Sequence, residues 1–149
     1  MDSLEKQFRA IIEPMAARHE TKPEHWVHGW DEGFSFCFEC AGKKVAELLK
    51  DEPDGDYCVD GGWGFEGDSQ AFCETCEHPL DNSFTDYACE SELDHFEEYG
   101  FDASDPSDCY SMDNILGAQL WEGGNLSERI QKIARQVVGQ QATEWISQP

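Results

Sequence analysis

Two pairs of cysteines, Cys37-Phe38-Glu39-Cys40 and Cys73-Glu74-Thr75-Cys76, constrain this chain more than any other feature. Two residues between cysteines let the backbone fold into a tight turn. Both sulfurs then point at one centre, at the ~2.3 Å that a zinc–sulfur bond requires. Two such turns facing each other complete a tetrahedron, so the fold must bring residues 37–40 and 73–76 together. Thirty-two residues separate Cys40 from Cys73, room for a helix and a return strand. The expected cofactor is one structural Zn2+, with Cys37, Cys40, Cys73 and Cys76 as the metal ligands.

The remaining cysteines agree with that reading. The chain has seven, an odd number, and its first residues lack the basic stretch and apolar core of a signal peptide. A secreted disulfide framework favours an even count and a leader. Metal ligation by four, with the others reduced, is the expectation, and with it a cytoplasmic location. Cys58, Cys89 and Cys109 sit in apolar patterns and read as small core residues. His25, His28 and His78 are alternatives for one ligand position, although histidine at such positions is more often a surface or packing residue.

Hydrophobic spacing places the elements around the cysteines. Leu4, Phe8, Ile11 and Met15 recur at helical intervals over residues 3–18, with Pro14 expected to loosen the last turn. Residues 20–36 read as a loop or short strand anchored by Trp26, Trp30, Phe34 and Phe36, and Phe34, Phe36 and Phe38 alternate as one side of a strand. A helix is expected over Ala41–Lys50, with Val45, Leu48 and Leu49 as its stripe. Asp51 to Asp56 ends it with turn chemistry. Tyr57-Cys58-Val59 reads as a strand, residues 60–64 as a turn around Trp63, and Phe65-Glu66 with Gln70-Ala71-Phe72 as a small hairpin. After Pro79-Leu80 the pattern is helical. Asp86 opens a helix carrying Leu93, Phe96 and Tyr99. Ser104-Asp105-Pro106 opens another through an acidic cap and a proline at the first helical position. That helix carries Cys109, Met112, Leu116 and Leu120 and stops at Gly123-Gly124. Asn125, with Glu128 three residues on, resembles a capping box before a last helix with Leu126, Ile130, Ile133, Val137 and Trp145.

Charge narrows the partners. The formal net charge is −22, from 32 acidic and 10 basic residues. Between Asp51 and Glu128, 78 residues hold 22 carboxylates and no Lys or Arg. Such a surface repels nucleic acid and anionic membranes and attracts cations or a basic protein. Zinc modules that hold nucleic acid place Lys and Arg beside the ligands. Here Glu39, Glu74 and Glu77 flank the sulfurs, and only Lys43 and Lys44 are near. The expected partner is a protein with a basic surface, with no nucleic acid and no membrane. Arg129, Lys132 and Arg135 form a late basic cluster, read as one side of an amphipathic helix packed on its own core.

The two C-x-x-C turns resemble those of zinc-ribbon and treble-clef-like modules, over residues 34–80 only. The flanks, with Trp63 and the run Asn82-Ser83-Phe84-Thr85-Asp86-Tyr87, look like small bacterial or phage proteins, a likeness that carries no activity. The function expected is that of a non-enzymatic zinc-stabilised protein acting through protein–protein interaction. Two alternatives stay open. In a zinc-dependent nucleobase deaminase, Cys37, Cys73 and Cys76 would hold the metal, water would be the fourth ligand and Glu39 the acid/base. Against it, Phe72 stands where that motif has proline, and Cys40 is within reach of the same ion. In a nucleic-acid-mimicking inhibitor, carboxylates would stand in for phosphates on a basic protein. There is no phosphate loop, H-E-x-x-H or G-x-S-x-G, and Asp54-Gly55-Asp56 and Asp102, Asp105 and Asp108 do not match a calcium loop.

The fold class expected is α+β: a small zinc-anchored β-hairpin element packed with about five helices. It is read as a single domain over residues 1–149, with a zinc module at about 34–80 and a helical part at about 86–146.

Overall fold

The computed structural model describes residues 3–28, 35–62 and 65–147, the last with side chains to residue 141 apart from that of Phe65. Trp30, Phe34 and Trp63, named above as anchors or turn residues, lie outside the described residues, as does the side chain of Trp145. Among the described residues, five helices and five short strands make an α+β fold: α1 (Ser3–Ala16), β1 (Lys22–His28), β2 (Ser35–Phe36), α2 (Phe38–Asp51), β3 (Cys58–Gly62), β4 (Phe65–Gly67), β5 (Leu80–Phe84), α3 (Asp86–Tyr99), α4 (Pro106–Gly117) and α5 (Ser127–Ser147). Among them no helix is long and apolar enough to cross a membrane.

The chain divides into two compact units. Residues 20–85 form one, with the five strands and α2; residues 1–19 and 86–149 form the other, with the remaining helices.

In the strand unit, β1 is central. It pairs antiparallel with β3 from Glu24 opposite Gly62 to His28 opposite Cys58, and with β2 through His25–Phe36 and Trp26–Ser35. It pairs in parallel with β5 at Lys22–Leu80 and Pro23–Asp81, and β5 in turn pairs in parallel with β4. Gly61 is required by the close approach of two backbones: a Cβ there would stand 2.3 Å from the Glu24 carbonyl oxygen. The expected hairpin is not formed. Phe65 and Glu66 pair in parallel with Asn82 and Ser83 of β5, and Phe72 makes only an isolated antiparallel bridge to Pro79. The segment after Pro79 is therefore a strand before it is a helix. Local alternation specifies an extended segment and not its partner, which long-range packing selects.

Val27, Phe36, Cys37, Cys40, Ala41, Cys73 and Leu80 form the core of this unit, and Val45, Leu48, Val59 and Ala71 pack against it. Leu49 stays at the rim. Helix α2 starts at Phe38, three residues earlier than the apolar pattern indicates, because Cys37 takes the cap position: its carbonyl accepts the Ala41 N–H at 2.9 Å. Cys58 is exposed on β3, against the core position expected for it.

The helical unit buries Phe8, Ile12 and Ala16 of α1, with Glu5 on the same face. That stripe is rotated from Leu4, Ile11 and Met15, which are only half-buried. Asp105 caps α4 as its sequence signal predicts, its carboxylate accepting the Ser107 N–H at 2.9 Å. Cys89 and Cys109 are fully buried, and burial pushes both thiols up to about 11. Tyr99 is exposed and leans on His95, with rings 5.0 Å apart. Helix α4 ends at Gly117, before Leu120 and the glycine pair, with Gln119 in the left-handed region. Helix α5 starts at Ser127, and its first turn closes from Ile130 N–H to the Leu126 carbonyl, so the cap falls one residue after Asn125. Trp121, which the pattern does not single out, is buried, and its carbonyl accepts the Ser127 hydroxyl and the Gln131 amide.

Candidate metal centre

The two C-x-x-C turns converge. The sulfurs of Cys37, Cys40, Cys73 and Cys76 all lie within 4.8 Å of one another, and among the described residues no other group of three or more His, Cys, Asp or Glu is placed to hold a metal. Cys37 Sγ is 3.9 Å from both Cys73 Sγ and Cys76 Sγ. A tetrahedron of zinc–sulfur bonds has edges of about 3.8 Å, whereas a disulfide needs ~2.05 Å. All four cysteines are free thiols. The arrangement is one that could hold a metal ion through four sulfur donors.

Each turn is set by its own backbone. Cys37 caps α2 and Cys40 lies in its first helical turn, so the helix start fixes the spacing of this pair. At the second turn, Cys73 N–H donates to the His78 carbonyl at 2.8 Å and Glu77 N–H donates to the Cys73 carbonyl at 2.9 Å. Glu77 closes this loop in the left-handed region, with φ of 61°. A backbone hydrogen bond ties the second turn to the strand that leads into the first: Glu74 N–H donates to the Ser35 carbonyl at 2.9 Å, two residues before Cys37. Cys37, Cys40 and Cys73 are buried, and Cys76 is exposed.

Burial opposes ionisation of Cys73, but backbone amides of Cys76, Cys37 and Thr75 outweigh it and bring this thiol down to about 6. Burial, with the three neighbouring sulfurs, pushes Cys40 up to about 12. Four sulfurs this close cannot all ionise without a compensating positive charge, and a divalent cation supplies one.

Asn82 supports the second turn and carries no motif signal of its own. It is buried in β5, donates to the Ser69 carbonyl at 2.9 Å and accepts the Ala71 N–H at 3.2 Å, while Gln70 donates to the Leu80 carbonyl at 2.7 Å. These bonds fix residues 69–71, which lead into Cys73. The alternation of Leu80, Asn82 and Phe84 is the one sequence sign that Asn82 faces inward. Glu24 is similarly buried and accepts the Ser35 hydroxyl at 2.7 Å.

The histidines are not in the sulfur group. His25 Nδ1 lies 3.0 Å from the Pro23 carbonyl, His28 Nε2 is 3.3 Å from Asp60, and His78 contributes its backbone carbonyl to the second turn. Glu39 is 73% exposed and pairs with Lys43 at 3.4 Å, on α2 outside the cluster. Asp102 accepts the Ser104 N–H and hydroxyl, and Asp108 accepts the Asp102 N–H, so these carboxylates organise the start of α4.

Comparison with family models, with curated proteins and with solved structures finds no match.

Proposed function

We propose that the protein is a non-enzymatic interaction module in which Cys37, Cys40, Cys73 and Cys76 hold one structural zinc, and that it acts by engaging a protein with a basic surface. The observation that carries the reading is the four-sulfur group, all within 4.8 Å, with two sulfur–sulfur distances of 3.9 Å close to the edge of a tetrahedral thiolate site. Zinc fits the donor set, because four thiolates in a closed tetrahedron are characteristic of its structural sites. Cys40 supplies a fourth sulfur where a catalytic zinc would keep water, and Glu39 is exposed, paired with Lys43 and not part of the cluster, which favours the structural reading over deaminase chemistry.

The partner follows from charge. Residues 20–85 carry 16 acidic and 4 basic side chains, and the flanks of the second cysteine turn are acidic and exposed. Metal analysis with thiol counting tests the site: one zinc and one readily reactive thiol, that of exposed Cys58, are expected per native chain, with buried Cys89 and Cys109 reacting only once the helical unit unfolds. Cys40→Ala should lose the metal and the cooperative unfolding of the strand unit. Retained zinc with an exchangeable water in that variant would overturn the structural reading in favour of the enzyme.

A further inference from the structure

The residues between and beside the clustered cysteines are not the polar filler that such turns usually carry. With the sulfurs directed inward, the intervening positions face solvent, and Phe38 is 67% exposed there. Phe72, immediately before Cys73, is 54% exposed. Single apolar side chains scattered over a surface are ordinary, whereas large ones gathered at one site and rimmed by polar groups mark an interaction surface. The rim here is acidic: Glu39, Glu74 and Glu77 are exposed, residues 71–80 contain no Lys or Arg, and the cation nearest the first turn, Lys43, is an exposed side chain paired with Glu39 at 3.4 Å. Phe38 meets the His25 ring edge-on at 5.2 Å, which steadies one side of it. Both phenylalanines are one residue from cysteines whose sulfurs are 3.9 Å apart. Chain geometry therefore keeps their Cα atoms within about 17 Å, the span of five or six extended residues.

We propose that Phe38 and Phe72, rimmed by Glu39, Glu74 and Glu77, form a docking surface for an extended, arginine-bearing segment of a partner protein. The inference rests on the reading that the protein acts through a basic partner, and it names the place and the chemistry. Arginine suits the surface better than lysine. Its planar guanidinium stacks on an aromatic face while its N–H fork pairs with a carboxylate. The metal site's contribution is to hold both aromatics on one rigid frame, so that little side-chain and loop ordering opposes binding.

The test is fluorescence anisotropy with the full zinc-loaded chain and a labelled eight-residue peptide of alternating arginine and leucine. Binding is expected, weakening as salt rises. Phe38→Ala and Phe72→Ala should each weaken it about fivefold while zinc stays at one per chain. Replacing arginine by lysine in the peptide should weaken it too. Glu90→Gln with Glu98→Gln, two exposed carboxylates of the helical unit, should leave it unchanged. Phe38→Leu and Phe72→Leu keep apolar bulk without the aromatic face and give the same reading if an alanine variant loses metal. Full affinity in the phenylalanine variants, with the wild type binding, overturns this surface and leaves the basic-partner reading in place. No binding of this peptide, octa-arginine or octa-lysine at low salt overturns both.

Discussion

Single residues decide the geometry of the cysteine turns more than any element does. Asn82 is the clearest case. Its amide is the shared partner for Ser69 and Ala71, two backbone groups in the stretch that delivers Cys73. Removing a buried side chain that satisfies such groups costs more than the bonds themselves, because their polar atoms are left without partners. Asn82→Ala should therefore destabilise the strand unit by about 2 kcal/mol, read as a lower denaturation midpoint with zinc still bound at saturating metal. Asn82→Asp keeps the acceptor for Ala71 but buries a carboxylate whose second oxygen faces the Ser69 carbonyl, and should cost at least as much at neutral pH. Unchanged midpoints would mean that the metal alone organises the turn.

At the scale of elements, α3 and α5 are joined by one cation. Arg129 donates to Asp94 at 2.6 Å and to both carboxylate oxygens of Glu97, at 2.5 and 3.0 Å. Its guanidinium holds Glu97 below the ordinary carboxylate range, chiefly by hydrogen bonding. A carboxylate depressed in the folded state stabilises it fully above the unfolded value and loses that contribution as pH falls through the folded one. Both carboxylates are well exposed. Arg129→Ala should cost about 1 kcal/mol or less at neutral pH and low salt. The gap between variant and wild type should close on acidification below the carboxylate range and in molar salt. A gap independent of both would assign the loss to packing of the arginine stem.

For the whole molecule, the strand unit holds the metal candidate and the helical unit has its own buried core in Phe8, Ile12, Leu93, Met112, Ile115 and Ile130. Zinc binding at such a site is folding free energy, so chelation removes it from the unit that contains the ligands. After chelator treatment, amide hydrogen exchange should accelerate across residues 35–51 and 69–84, while α4 and the first turns of α5 keep their protection. Simultaneous loss in both units would show that the metal stabilises the chain as one cooperative body. No change anywhere would remove structural zinc from the account.

Much of this was legible in the sequence because it is local. A C-x-x-C spacing aims two sulfurs at one point whatever surrounds it, and Asp105 with Pro106 starts a helix through bonds made within a few residues. The helical character of residues 3–16 follows equally from spacing. Tertiary structure decided what depends on residues distant in sequence. It chose Ile12 and Ala16 over Ile11 and Met15 as the buried face of α1, set β4 parallel to β5 in place of a hairpin, and left Cys58 in solvent while enclosing Cys89 and Cys109. Periodicity records that a segment has an apolar side. Which neighbour covers that side depends on contacts that form only when the chain closes on itself, and those contacts also place Phe38 and Phe72 in water beside the sulfurs.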